Sequence, residues 1–375
     1  MERLLRVGTC LAMCGYGAEV SALAATARAF RADAQLWAAH ARHKGVKGRT
    51  CLMHAAWTGS VPRMQFLMER GAEVEAVTEK GSTALMWACE AGRSEAARLL
   101  VEHGGANVNV ARTNGGTTAL MWASYKGDLE IVCFLVGRGG ANENAARTTD
   151  GKTALMWASQ EDHLEIVRCL VERGGANVNA VQTDDGFTAL MWASQNGHLE
   201  IVRCLVERGG ANANAARTTD GMTALMWASE QGHLETARFL VERGGASVNA
   251  AMTESGVTAL IMACEQGHLE IARFLLEHRG AFVHGVDSSG DNSLTLACTN
   301  GHLEIVRLVL QHGAHINAAR ALCGSTPLML ASARGHVDIV RLLLEHGALK
   351  HLVNHAGRTA RSLAASHPLV RAALA

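Results

Sequence analysis

The 375 residues include 35 Lys and Arg and 35 Asp and Glu, a formal net charge of zero. Such a balance offers no global field to draw the chain onto nucleic acid or an anionic membrane, so neither is an expected partner and recognition must be local. No apolar run approaches the ~20 residues needed to span a bilayer.

Residues 1 to 47 stand apart from the rest of the chain. Val7 to Cys14 follows Arg3 and Arg6 and contains Gly8 and Thr9, which fits a buried helix better than a secretion signal. In Glu19 to Gly45, Leu23, Ala27, Phe30 and the Leu36-Trp37 pair predict two short helices with an apolar face.

From Gly48 the chain repeats itself. Glycine followed two residues later by Thr-Ala-Leu or a related segment recurs at Gly81, Gly116, Gly151, Gly186, Gly221, Gly256, Gly290, Gly324 and Gly357, at intervals of 33 to 35 residues. In the copy from Gly186 to Asn214, Thr188 is placed to cap a short helix over Ala189 to Ser194. Gln195-Asn196-Gly197 interrupts it. Leu199, Val202, Leu205 and Val206 then recur at helical spacing. Glu200 suits the start of this second helix and Arg208 its end, and Gly209-Gly210 stops it. Asn212 and Asn214 favour a turn. Two such helices cannot enclose their own apolar faces, so each pair must stack on the next. The expected fold is an all-α solenoid over residues 48 to 375, about nine full units and a C-terminal half-unit. The N-terminal segment 1 to 47 would then cap the first unit.

The pattern Gly-x-Thr-Ala-Leu, then Ala, then Gly-His-Leu-Glu-Ile-Val, then Gly-Ala-Asn-Val-Asn resembles the ankyrin repeat. The resemblance implies helix pairs joined by projecting hairpin fingers, a concave groove formed by first helices and fingers, and protein partners. Two departures stand out. The family's Thr-Pro-Leu-His keeps its proline only at Pro327, and Met53, Met86, Met121, Met156, Met191, Met226 and Met329 occupy the histidine slot, which predicts apolar packing in place of a hydrogen-bond network. The 35-residue copies add a glycine after the second helix and a residue in the loop, as at Gly139-Gly140 and Ala145-Ala146-Arg147, which predicts longer and more mobile fingers mid-array. Leu23, Arg28, Phe30 and Leu36-Trp37 also resemble the second half of an F-box without its leading Leu-Pro. That resemblance implies docking onto a cullin ligase adaptor, and with it a second reading as substrate receptor for ubiquitin ligation.

Catalytic constellations are not found: no nucleophile elbow, phosphate loop, paired carboxylates or HExxH helix is present, and no metal or cofactor is expected. His163, His198, His233, His268, His302 and His336 recur once per repeat at the start of the second helix, which suits capping better than convergence on a metal. Trp87, Trp122, Trp157, Trp192 and Trp227 continue as Met262, Leu296 and Leu330, as a packing position does, rather than forming a rail that stacks bases or cages a methylated lysine. Cys133, Cys169 and Cys204 recur on second helices, where neighbours are expected roughly 8 to 10 Å apart, beyond disulfide reach. Buried thiols and the lack of an Asn-x-Ser/Thr sequon suit an intracellular protein, in the cytoplasm or alternatively the nucleus, expected to be a monomer.

Specificity belongs to whatever differs between copies. After the first helix the central copies carry Tyr125-Lys126, Gln160-Glu161, Gln195-Asn196, Glu230-Gln231 and Glu265-Gln266; after the finger glycine they carry Lys152, Phe187, Met222 and Val257. Phe187, Met222 and Val257 are expected to form an exposed apolar strip beside a Gln/Glu-rich groove, suited to a peptide or helix with an apolar anchor and basic flanks, and dispensable for folding.

Overall fold

Threonine sets the rhythm of the structure. In a computed structural model, which describes residues 46–375, Thr50, Thr83, Thr118, Thr153, Thr188, Thr223, Thr258, Thr326 and Thr359 each begin a helix in an extended conformation, with Oγ1 accepting the backbone N–H three residues on. Asn292 does the same through Oδ1. The expected N-terminal helices, and the F-box-like stretch with them, lie outside the described residues. The chain falls into two compact units, Met1–Asp184 and Asp185–Ala375.

In the first unit a short turn, Val46–Gly48, leads into four helix pairs: α1 (Cys51–Thr58) and α2 (Val61–Glu69), α3 (Ala84–Glu90) and α4 (Ser94–Glu102), α5 (Ala119–Lys126) and α6 (Leu129–Gly137), α7 (Ala154–Gln160) and α8 (Leu164–Glu172). The second unit holds α9 (Ala189–Gln195) and α10 (Leu199–Arg203, prolonged by a π turn over Cys204–Arg208), α11 (Ala224–Gln231) and α12 (Leu234–Glu242), and α13 (Ala259–Gln266) and α14 (Leu269–Arg279). It continues with α15 (Ser293–Asn300) and α16 (Leu303–Gln311), α17 (Pro327–Arg334) and α18 (Val337–Glu345), and closes with α19 (Ala360–Leu363) and α20 (Pro368–Ala373). Within each unit every odd helix packs on the next odd one and every even helix on the next even one. Among the described residues there is no strand, only single antiparallel bridges at the finger bases, Ala146–Thr153, Ala216–Thr223 and Ala251–Thr258.

The first helices are buried as the repeat pattern requires. Met53, Met86, Met121, Met156, Met191, Met226 and Met329 are all at most 1% exposed, so the histidine slot is indeed apolar packing in these copies. Ile261 fills the slot in the same way, whereas the next copy is polar there: Thr295 Oγ1 accepts from Asn292 N at 2.8 Å and donates to the buried Asp291 carboxylate at 2.9 Å. Ser124, Ser159, Ser194 and Ser229 share a fully buried slot with Cys89, Cys264 and Cys298. Burial pushes the Cys89 and Cys298 thiols up, and that of Cys264 to about 12. These thiols are inert packing groups.

Three polar contacts repeat between neighbours within each unit. The second-helix histidines do not cap their own helices. Five of them instead reach back to the preceding repeat, where a first-helix carbonyl accepts from Nε2: His163 to Tyr125 O at 3.2 Å, His233 to Gln195 O at 3.0 Å, His268 to Glu230 O at 2.9 Å, His302 to Glu265 O at 3.0 Å and His336 to Thr299 O at 3.2 Å. The hairpin asparagines divide their work. Asn107 and Asn142 make the expected turn, accepting from the N–H two residues on. Asn109 instead bridges repeats, accepting from Asn142 N at 2.7 Å and donating to Gly140 O at 2.9 Å; Asn144, Asn214 and Asn249 repeat the bridge. Finally, one backbone bond joins adjacent fingers, as from Thr148 N to Gly115 O, Thr183 N to Asp150 O and Thr253 N to Asp220 O. The longer central fingers are tied to their neighbours by the same bond that the shorter ones make, as from His355 N to Cys323 O.

The expected thiol spacing fails at one place. Cys133 Sγ on α6 and Cys169 Sγ on α8 lie 3.0 Å apart. Their separation of 36 residues exceeds the local 35-residue repeat by one, so they occupy successive slots and meet on the diagonal rather than standing one full repeat apart.

The histidine contact makes a demand on glycine. Gly267 ends α13 at φ +88°, and a Cβ built there would lie 2.7 Å from His302 Cε1. Gly267→Ala combines left-handed strain of roughly 1 to 2 kcal/mol with loss of this contact. A destabilisation of at least about 2 kcal/mol is expected in urea unfolding, and His302→Ala in the same background should add less than it does in the parent chain.

Candidate partner-binding face

The variable pairs, expected after the first helices, occupy or adjoin the last turn of those helices. Tyr125, Gln160, Gln195, Glu230 and Glu265 are half-buried, as is Glu161, while Lys126, Asn196, Gln231 and Gln266 are exposed. The carbonyls of Tyr125, Gln195, Glu230 and Glu265 are the histidine acceptors, so the backbone that presents these side chains is held by the next repeat.

The residues after the finger glycine are placed differently from expectation. Lys152, Phe187 and Met222 are 5%, 3% and 5% exposed, and Val257 is half-buried. They form no free apolar strip. The antiparallel fold of the finger turns this position inward against the first helices, while the outer turn residues, such as Thr148-Thr149 and Thr183-Asp184, face solvent. Phe187 packs between Trp192 and Trp227, at centroid distances of 4.6 and 5.4 Å. Lys152 lays Nζ over the Trp157 ring at 3.6 Å and donates to Gln160 Oε1.

Trp87, Trp122, Trp157, Trp192 and Trp227 are half-buried, neither sealed core nor open rail, and Trp57 before them is exposed. In the first unit Trp57 meets Trp87 edge-on at 5.7 Å, and Tyr125 bridges Trp122 and Trp157 at 6.3 and 5.1 Å. Their faces carry the chain's own cations: Arg49 over Trp87, Arg112 over Trp122 and Arg147 over Trp157, with Arg217 over Trp227 in the second unit. Each such pair is worth roughly 0.5 to 1 kcal/mol at a half-exposed site. Ring faces so covered are poor platforms for a base or a methylated lysine.

Charge distinguishes one stretch of the second unit. Glu230 and Glu265 sit on consecutive first helices, with Asp287 and Asp291 on the finger beyond. Arg320 pairs with Asp291. Among the described residues neither Glu230 nor Glu265 forms an ion pair, and Glu230 Oε2 is buried without a hydrogen-bond partner. Burial, reinforced by the charges of Asp291, Glu230 and Asp287, raises the Glu265 carboxyl above the ordinary value for glutamate. The outer surface formed by the second helices is instead self-satisfied, with exposed pairs such as Arg168–Glu165, Arg238–Glu235 and Arg273–Glu277. No group of His, Cys, Asp and Glu able to hold a metal occurs among the described residues, and none of their helices is long and apolar enough to cross a membrane.

Stacked helix pairs, threonine caps and finger turns of this spacing meet their counterpart in comparison with known families. A profile described as ankyrin repeats (three copies) matches residues 11–112, 52–147, 105–182, 175–252 and 246–320, and a single ankyrin repeat matches 323–355. The chain belongs to the ankyrin repeat family. Ankyrin repeats form protein–protein interaction modules, and proteins built from them are generally non-catalytic scaffolds. The first match begins at residue 11 and so takes in most of the segment before Gly48. No curated protein matches the chain.

Two outcomes are expected. Phe187→Ala removes a buried ring between two indoles and should cost about 3 to 5 kcal/mol in chemical unfolding, where an exposed anchor would cost almost nothing. For Glu265, the folded-state pKa lies above the unfolded one, so ionisation opposes folding, and the penalty is relieved as pH falls through the folded value. Glu265→Gln should therefore raise the urea midpoint at neutral pH and lose that advantage in acid.

Proposed function

We propose that this ankyrin repeat protein is a non-catalytic scaffold that holds a protein partner on the side formed by first helices and fingers. In this reading the second unit receives a basic segment of the partner at Glu230 and Glu265, flanked by Gln195, Asn196, Gln231 and Gln266. Tyr125, Lys126, Gln160 and Glu161 serve the same role in the first unit. The observation that carries the reading is the pair of half-buried glutamates that lack a cation while like charges crowd Glu265. A Lys or Arg of a partner would supply the missing counter-charge, and a desolvated charge pair contributes both affinity and selectivity. The strip Phe187, Met222 and Val257 falls away as the apolar anchor, because its first two members are already spent on the fold.

Affinity capture with the full chain, followed by crosslinking between carboxyl and amine groups, tests this reading. Crosslinks should join partner lysines to Glu230 or Glu265, and the double variant Glu230→Gln, Glu265→Gln should lose that partner at least about tenfold, equivalent to 1.4 kcal/mol, with its fold intact by circular dichroism. Undiminished capture by the double variant, or crosslinks confined to the second-helix side, would move the binding face elsewhere.

A further inference from the structure

The second helices carry a diagonal contact between neighbours. Arg98 lies over the Phe134 ring at 5.2 Å, Arg203 over Phe239 at 5.0 Å and Arg238 over Phe274 at 5.7 Å. In each case an arginine in one repeat meets an aromatic one slot further along in the next. Cys133 stands in that arginine slot, where the other repeats from Arg98 to Arg341 keep arginine, and Cys169 stands in the aromatic slot of the following repeat. The same diagonal therefore brings two sulfurs to 3.0 Å, closer than an ordinary non-bonded sulfur contact. Cys133 is half-buried and reachable from solvent, while Cys169 is buried behind it.

We propose that Cys133 and Cys169 form a redox modification site, in which a peroxide converts the pair into a disulfide that staples α6 to α8. The peroxide first transfers an oxygen to the accessible Cys133 thiol, giving a sulfenic acid and an alcohol or water. The Cys169 sulfur then attacks the Cys133 sulfur, the S–S bond forms as the S–O bond breaks, and the hydroxyl leaves as water with the Cys169 proton. Two thiols are oxidised by two electrons and the peroxide O–O bond is reduced. A thiol-containing reductant reverses the change. The nearness of the sulfurs removes the backbone movement that a disulfide across a full repeat would require, and the bond would close a loop across the third and fourth repeats, limiting their separation in the unfolded chain. Burial and the Cys133 contact push the Cys169 thiol up to about 12, which leaves the first reaction with peroxide to Cys133.

The test uses the full reduced chain treated with hydrogen peroxide, then alkylated and digested with trypsin without reduction. Peptides 127–138 and 169–173 are expected as one linked species, lighter by two hydrogens than their sum and separated by dithiothreitol; the link should vanish in Cys133→Ser and in Cys169→Ser. Oxidation should also raise the thermal midpoint of the parent chain but not of Cys133→Arg, which restores the residue of the other repeats. Recovery of both peptides alkylated and unlinked, Cys133 over-oxidised with Cys169 still a free thiol, or equal linkage in urea, where the diagonal no longer exists, would each overturn the proposal.

Discussion

No helix pair here can stand alone. First helices of at most eight residues and second helices mostly of nine are below the length at which helices persist in water, and each pair has apolar residues on a face that only another pair can cover. Everything else in each unit follows from that dependence on the neighbour. The buried methionines supply the apolar contact. The histidine-to-carbonyl bonds, asparagine bridges and finger ties then set the register, each satisfying a backbone group that the short helices and turns leave over. Because every one of these bonds spans a single repeat boundary, stability accumulates locally along each unit, as nearest-neighbour arrays require.

The same constraint explains how a repetitive frame can carry a non-repetitive surface. The histidine bond holds a carbonyl in the last turn of the first helix and makes no demand on the side chain of that residue. Tyr125, Gln195, Glu230 and Glu265 differ completely in chemistry yet share one backbone arrangement. The position after the finger glycine has no such freedom. Its side chain turns inward, so Phe187 becomes part of an aromatic stack and Lys152 spends its ammonium on Trp157 and Gln160. Variation there answers to packing with the adjacent helix, whereas variation at the end of the first helix can answer to a partner.

How far the molecule could be read from sequence follows from this division. Periodicity sufficed for the helix pairs, and the Thr-Ala-Leu signature for the caps, with Thr188 accepting from Met191 N as its spacing implied. Buried methionine in the histidine slot was legible because seven copies agree. What spacing does not convey is direction across a boundary. The histidines sit at a helix start, which suggests a cap, yet their rings point back to the previous repeat. Asn107 and Asn109 are two residues apart in one turn, yet one serves its own hairpin and the other the next. Phe187 lies beside a glycine in a loop, which suggests exposure, yet the hairpin folds it under.

The cysteines show the same limit most sharply. Read along the chain, Cys133, Cys169 and Cys204 are a column with a slight irregularity, 36 residues and then 35. Read across the boundary, the irregularity is the significant feature, because second-helix side chains contact their neighbours one slot out of step. Arginine on an aromatic ring and sulfur on sulfur are two fillings of the same diagonal, and the arginine does not depend on the ring, since Arg273 and Arg307 stand one slot before Leu308 and Leu342 of the following repeats. A comparison of equivalent positions, one repeat against the next, cannot see such a contact, because two different positions of the repeat make it.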